Sequence, residues 1–100
     1  MNEVELKEKV NQWAKTIGVN PKKIKINKMN RKWASCSSQG IITFNRELLK
    51  EDIQFCEYVI VHELIHLQVP NHGILFKSLL KAYLVDNKDI QRTQYACSTT

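Results

Sequence analysis

Apolar residues recur every three or four positions from Glu3 to Ile17, at Val4, Leu6, Val10, Trp13, Ala14 and Ile17, and this stripe predicts an amphipathic helix. Gly18 and the Asn20-Pro21 step end it. The spacing then shortens to two. Ile24 and Ile26, with Met29 beyond them, alternate with lysines or Asn27 and read as a half-solvated strand. Asn30-Arg31-Lys32 is a turn, and Trp33 to Ser37 a second short strand. Ser38-Gln39-Gly40 turns that strand into Ile41-Ile42-Thr43-Phe44-Asn45, the clearest β run in the chain. Leu48 and Leu49 join the sheet to a helix that starts at Glu51 or Asp52 and runs to about Gln68. Ile53, Cys56, Val59, Ile60, Leu64 and Leu67 supply its packing surface. Pro70 stops it, because proline has no amide to donate and holds Val69 extended. Phe76, Leu79, Leu80, Tyr83 and Leu84 mark a last amphipathic helix from Phe76 to Val85. After Asp86 the periodicity disappears, and residues 90–100 read as a polar tail.

This order predicts one α+β domain over residues 1–100: an N-terminal helix, two or three strands in a small antiparallel or mixed sheet, a long helix and a final helix. A hydrophobic content of 43% is ordinary for a globular chain. No apolar run reaches the roughly 18 residues that span a bilayer, and no leader is recognisable at Met1. A soluble, cytoplasmic monomer is therefore expected. Cys36, Cys56 and Cys97 are odd in number and contain no C-x-x-C pair, which argues against a disulfide framework; Cys56 reads as a buried filler. The net charge of +5 comes mostly from lysine, with Lys22, Lys23, Lys25, Lys28, Arg31 and Lys32 clustered in the first half. A solvated surface explains the cluster, and a nucleic-acid patch is the alternative.

The chemistry is concentrated in Val59-Ile60-Val61-His62-Glu63-Leu64-Ile65-His66. Four residues apart on a helix, His62 and His66 share a face and can reach one metal ion, while Glu63 is placed to handle the proton of a water at that ion. A catalytic zinc commonly takes three protein ligands and keeps one position for solvent. His72, after the proline-enforced exit, is the remaining histidine; Glu57 and Asp86 are the carboxylate alternatives, though Glu57 falls off the ligand face. Zn2+ held by neutral imidazoles with Glu63 as general base points to hydrolysis of a peptide bond. The alternatives are metal-dependent hydrolysis of a nucleotide or phosphate ester, and a DNA-associated module with structural zinc. No Gly-rich phosphate loop is present. Tyr83, Tyr95 and Arg46 are candidates to stabilise an oxyanion. If Ile41 to Asn45 is a sheet edge above the metal, a peptide or protein substrate can add along it as a further strand.

Two blocks of the chain resemble the small zinc metallopeptidase family of predicted metal-dependent hydrolases, relatives of the SprT- and WLM-type domains. Trp33 to Leu48 is similar to that family's W-G-S-C-S-x-x-G-x-I-x-x-N-x-x-L, with Ala34 in place of the glycine. Tyr58 to Phe76 is similar to Y-V-x-x-H-E-L-x-H-L-x-x-x-N-H-x-x-x-F. The resemblance implies a zincin-like minimal catalytic domain in which His62, His66 and His72 hold zinc and Glu63 is the base. It makes Trp33, Ser35, Cys36 and Asn45 structural or cleft-side positions. The length also resembles the archaeal zymogens called minigluzincins, some of which are held latent by a terminal segment. That likeness implies that the tail from Gln91 to Thr100, carrying Tyr95 and Cys97, blocks the cleft, with the Cys97 thiolate at the open position of the zinc.

Overall fold

A computed structural model describes residues 1–84. Val85, Asp86, Tyr95, Cys97 and the tail lie outside the described residues, and with them the latency expectation.

Helix α1 spans Glu3–Ile17 and is fixed at both ends by local chemistry. Asn2 accepts the Glu5 amide at 2.8 Å and donates its own amide to the Glu5 carboxylate at 2.9 Å, a reciprocal capping box. Gly18 takes the left-handed conformation that an L-residue resists, and its amide closes on the Ala14 carbonyl at 2.8 Å. Leu6, Val10, Ala14 and Ile17 face the core, whereas Val4 points to solvent.

Strands β1 (Lys23–Asn27), β2 (Ala34–Cys36) and β3 (Ile41–Asn45) form one mixed sheet in the order β1-β3-β2. β1 runs parallel to β3, and β2 runs antiparallel to it. This corrects the expected edge role of residues 41–45. β3 is the central strand, paired on both sides and carrying the buried Ile42, Phe44 and Asn45, so no substrate strand can add to it. Among the described residues the edges belong to β1 and β2. Ser37 donates to Ile41 and Asn45 to Trp33, so Ser35 also points its main-chain groups toward β3 by alternation. The N–H and C=O of Ala34 and Cys36 therefore face outward along the β2 edge. Alanine fits at position 34 without strain, since no residue other than glycine has positive φ among the described residues.

A 3-10 turn over Arg46–Lys50, not expected from the pattern, carries the chain out of the sheet. Asn45 sets it up: its side chain accepts the Glu47 amide and donates to the carbonyls of Met29 (3.1 Å) and Lys32 (2.7 Å). Helix α2 (Ile53–Ile65) begins at Asp52, which caps the Phe55 amide at 2.8 Å. From Phe55 to Ile65 every residue but Glu57 is buried, because α1, the sheet and α3 enclose the helix. It ends about three residues earlier than the pattern predicts. His66 nonetheless keeps helical dihedrals as the C-cap, and single turns of chain bond Leu67 to Leu64 and Gln68 to Ile65 before Pro70. Helix α3 (Ile74–Tyr83) is anchored by Phe76, the one member of its span that is fully buried. No helix among the described residues is long and apolar enough to cross a membrane.

Candidate metal centre

His62 and His66 project from one face of the C-terminal turn of α2, and the chain reversal at Pro70 returns His72 to them. One nitrogen from each of the three rings lies within 4.8 Å of the other two. The Nε2 atoms of His62 and His72 are 3.1 Å apart. With Zn–N bonds near 2.05 Å, tetrahedral ligand atoms stand about 3.3 Å from one another, so this separation is that of two nitrogens sharing an ion.

The surroundings favour the neutral rings that a metal needs. Burial, then the neighbouring His66 and His72, pushes the His62 pKa down to about 3. Burial and His72 hold His66 down at about 4; the carbonyls of Val69 and Pro70 oppose this from positions outside hydrogen-bond geometry. Neither ring nitrogen of His66 meets a hydrogen-bond partner among the described residues, although both are shut off from water. A buried nitrogen left so costs about 1–3 kcal/mol, a deficit that coordination removes. Glu63 is 0% exposed, and enclosing a carboxylate is unfavourable unless positive charge accompanies it. The donor set fits zinc.

Phe76 closes the floor. Its ring lies 4.9, 4.5 and 4.7 Å from the centroids of His62, His66 and His72, so one side chain touches all three imidazoles. The sequence places Phe76 in the last amphipathic helix, but periodicity gives it no role at the site. The available signal is its position four residues after His72, in the first turn of α3 past the Gly73 N-cap. Cys36, at the end of β2, is near enough to feel the Glu63 charge: burial, then that charge, push its thiol up to about 11. On the other flank, beside His66, a groove of about 640 Å³ runs between Gly18–Asn20, the Ser37–Gly40 turn and Leu67 to Pro70.

The remaining candidates sit elsewhere. Glu57 accepts from the Trp13 indole at 3.2 Å and faces Lys9 at 3.7 Å, tying α2 to α1. Arg46 pairs with Glu3 at 3.6 Å near the start of α1. Tyr83 lies two turns of α3 beyond Phe76, about 10 Å along the helix, with its ring edge-on to Trp13. Cys56 is buried, as expected, and donates to the Leu48 carbonyl at 3.2 Å.

Residues 2–93 match the YgjP-like metallopeptidase-domain family. An uncharacterized protein of Methanocaldococcus jannaschii is 32% identical over 92 residues, covering 87% of this chain and 84% of its own. Among solved structures, the metallopeptidase zymogen jannalysin of Methanocaldococcus jannaschii superposes with a TM-score of 0.75 at 30% identity, over 89% of this chain and 94% of that one. The metallopeptidase zymogen abylysin of Pyrococcus abyssi gives 0.71 at 17% identity, over 93% and 99%. At that identity the second likeness speaks to the fold alone.

Proposed function

The chain belongs to the YgjP-like metallopeptidase-domain family, and from that premise we propose that it is a zinc peptidase in which His62, His66 and His72 hold the metal and Glu63 is the general base. The convergence of three imidazole nitrogens within 4.8 Å is the observation that carries this reading. Bound zinc supplies a Lewis acid for the scissile carbonyl and makes water acidic enough to ionise near neutral pH. Glu63, next to His62 in the chain, takes the proton of the attacking water on a carboxylate oxygen and returns it to the leaving amine. Its enclosure keeps competing solvent away from that oxygen. Phe76 holds the three rings in place from below. Among the described residues the three histidines are the one group of His, Cys, Asp and Glu side chains spaced to share an ion. The carboxylate cluster that would hold Mg2+ for phosphate-ester chemistry is thus missing from them.

The substrate is a peptide or protein segment lying in extended form along the β2 edge, where Ala34 and Cys36 offer outward main-chain groups beside Glu63. Glu63→Gln should keep the zinc content and lower peptide turnover about 10²- to 10⁴-fold; turnover at the wild-type rate refutes the base assignment. Two of the structural relatives are zymogens, and we carry latency to this chain, with residues 90–100 as the blocking segment and Cys97 and Tyr95 its candidate contacts. Ending the chain after Asp89 should raise activity, and unchanged activity would sink the latency reading.

A further inference from the structure

The β2 edge is flanked at its two ends by grooves of different electrical character. The groove at its C-terminal end, beside His66, is lined by no charged side chain; its polar surface is amide and hydroxyl, from Asn20, Ser38, Gln39 and Gln68 among others. Ser38 and Gln39 make no side-chain hydrogen bond among the described residues. The turn that carries them is nonetheless held, because the Ser37 hydroxyl accepts the amides of Gln39 and Ile41 at 3.2 Å each. At the N-terminal end of β2 a second pocket, of about 390 Å³, lies between Trp33, Asn45 and the cations Arg31, Lys32 and Lys50. Lys50 is matched by Glu47 at 3.2 Å. Arg31 and Lys32 have no ion-pair partner among the described residues, and Glu51 is the one further acid on the wall. The backbone beneath the two cations is fixed by Asn45, which bonds the Lys32 and Met29 carbonyls.

From this arrangement we propose that the site selects peptides by charge at two separated positions. Uncharged residues occupy the groove beside His66, and an acidic residue binds Arg31 and Lys32 at the far end of β2. The inference rests on the peptidase reading and names its substrate class. Lys32 lies four positions before Cys36, which is near Glu63, and at about 3.3 Å per residue that is about 13 Å. The acidic residue therefore falls about three to five positions from the scissile bond, on one fixed side of it. A charged side chain in the His66 groove would lose water without gaining a counter-ion there, whereas a carboxylate near Arg31 and Lys32 gains two.

Two measurements test this, each made on the zinc-loaded protein both full-length and ended after Asp89, so that a block by residues 90–100 is not read as absence of binding or cleavage. In the first, the wild type digests a peptide library and the residues around each cleaved bond are counted. In the second, the binding of fluorescent peptides bearing either glutamate or lysine at the distal position is measured by anisotropy on the Glu63→Gln variant, which reads binding whether or not hydrolysis occurs. The glutamate peptide should bind at least fivefold more tightly at low salt, with the difference shrinking toward none at 1 M salt. Combining Arg31→Glu with Lys32→Glu should reverse the order, a swing of about tenfold or more in the ratio, with zinc content and circular dichroism retained. Equal binding of the two peptides, no binding of either, or a ratio unmoved by the double reversal overturns the inference. Charge-dependent binding without any cleavage supports it while refuting the peptidase reading. Cleavage with no charge preference refutes it and leaves that reading intact.

Discussion

Phe76→Ala tests whether the floor of the histidine cluster matters to the metal or only to the core. The side chain is 1% exposed and its ring lies within 5 Å of three imidazole centroids. Removing a buried phenylalanine costs about 3–5 kcal/mol, since the void fills only in part. Domains of this size hold about 5–15 kcal/mol in total, so the metal-free variant should sit close to its folding limit. At about 4–8 °C per kcal/mol, a loss of 3 kcal/mol lowers Tm by about 12–24 °C. A purely structural residue would stop there. The ring also touches all three imidazoles; with these as the proposed ligands, zinc affinity should fall a further 10- to 100-fold in molecules that remain folded, the scale seen when ligand-orienting partners are lost. Circular dichroism melts with and without zinc, competition against a chromophoric chelator below the Tm, and the visible spectrum of the cobalt form separate the two effects. Phe76→Leu should recover most of the stability and part of the affinity. Leu75→Ala, at a position 60% exposed on the same helix, is the control and should change stability by about 0.5 kcal/mol or less. If Phe76→Ala melts no lower than this control and binds zinc within twofold of wild type, the buttress argument fails.

His72 is exposed, so His72→Ala should leave the stability of the metal-free protein within about 0.5 kcal/mol of wild type. It should nevertheless weaken zinc binding more than about 100-fold, beyond the effect of losing an orienting partner; unchanged affinity would remove it from the ligand set. Asn45→Ala strands one amide and two carbonyls and should cost about 2–3 kcal/mol in chemical denaturation, with faster amide exchange in the 29–33 loop; a loss below 0.5 kcal/mol would show that water replaces it freely. The depressed pKa values of His62 (about 3) and His66 (about 4) set a pH dependence for the metal-free protein. Between about pH 6.5 and pH 4 the unfolded chain binds protons on these rings that the folded one refuses, so stability should fall as pH drops through that window. A flat urea midpoint from pH 7 to pH 4.5 would contradict the burial of the two neutral rings.

Helix α1 was legible almost to the residue, because its stripe and its terminal glycine are local signals. The spacing of His62, Glu63 and His66 was equally local, and only the α-helix boundary moved, since the turns after Ile65 are wound too tightly for the pattern to separate them from the helix. The place of Ile41–Asn45 in the sheet was not legible. Its pairing with β2 follows from the intervening turn, but its parallel pairing with β1 joins segments 18 positions apart and leaves no mark in either one. Arg46–Lys50 escaped for a different reason: five residues are too few to establish a helical period, and Asn45, which caps the turn, also reads as a strand end. Phe76 was assigned to the last amphipathic helix, where it does help to fill the interior. That the same ring touches every imidazole depends on how α3 docks, and no spacing encodes that.

The burial of α2 from Phe55 to Ile65, Glu57 apart, has a consequence for how this protein can change. In a larger hydrolase a replaceable scaffold stands between the reacting groups and the bulk of the interior; here one rod of thirteen residues is both the keel and the tool. Selection for a new target therefore has little freedom in that rod and must work through the Ser37–Gly40 turn and the 28–33 loop, which can vary while the keel stays fixed. Adaptation in so small a body is confined to its rim.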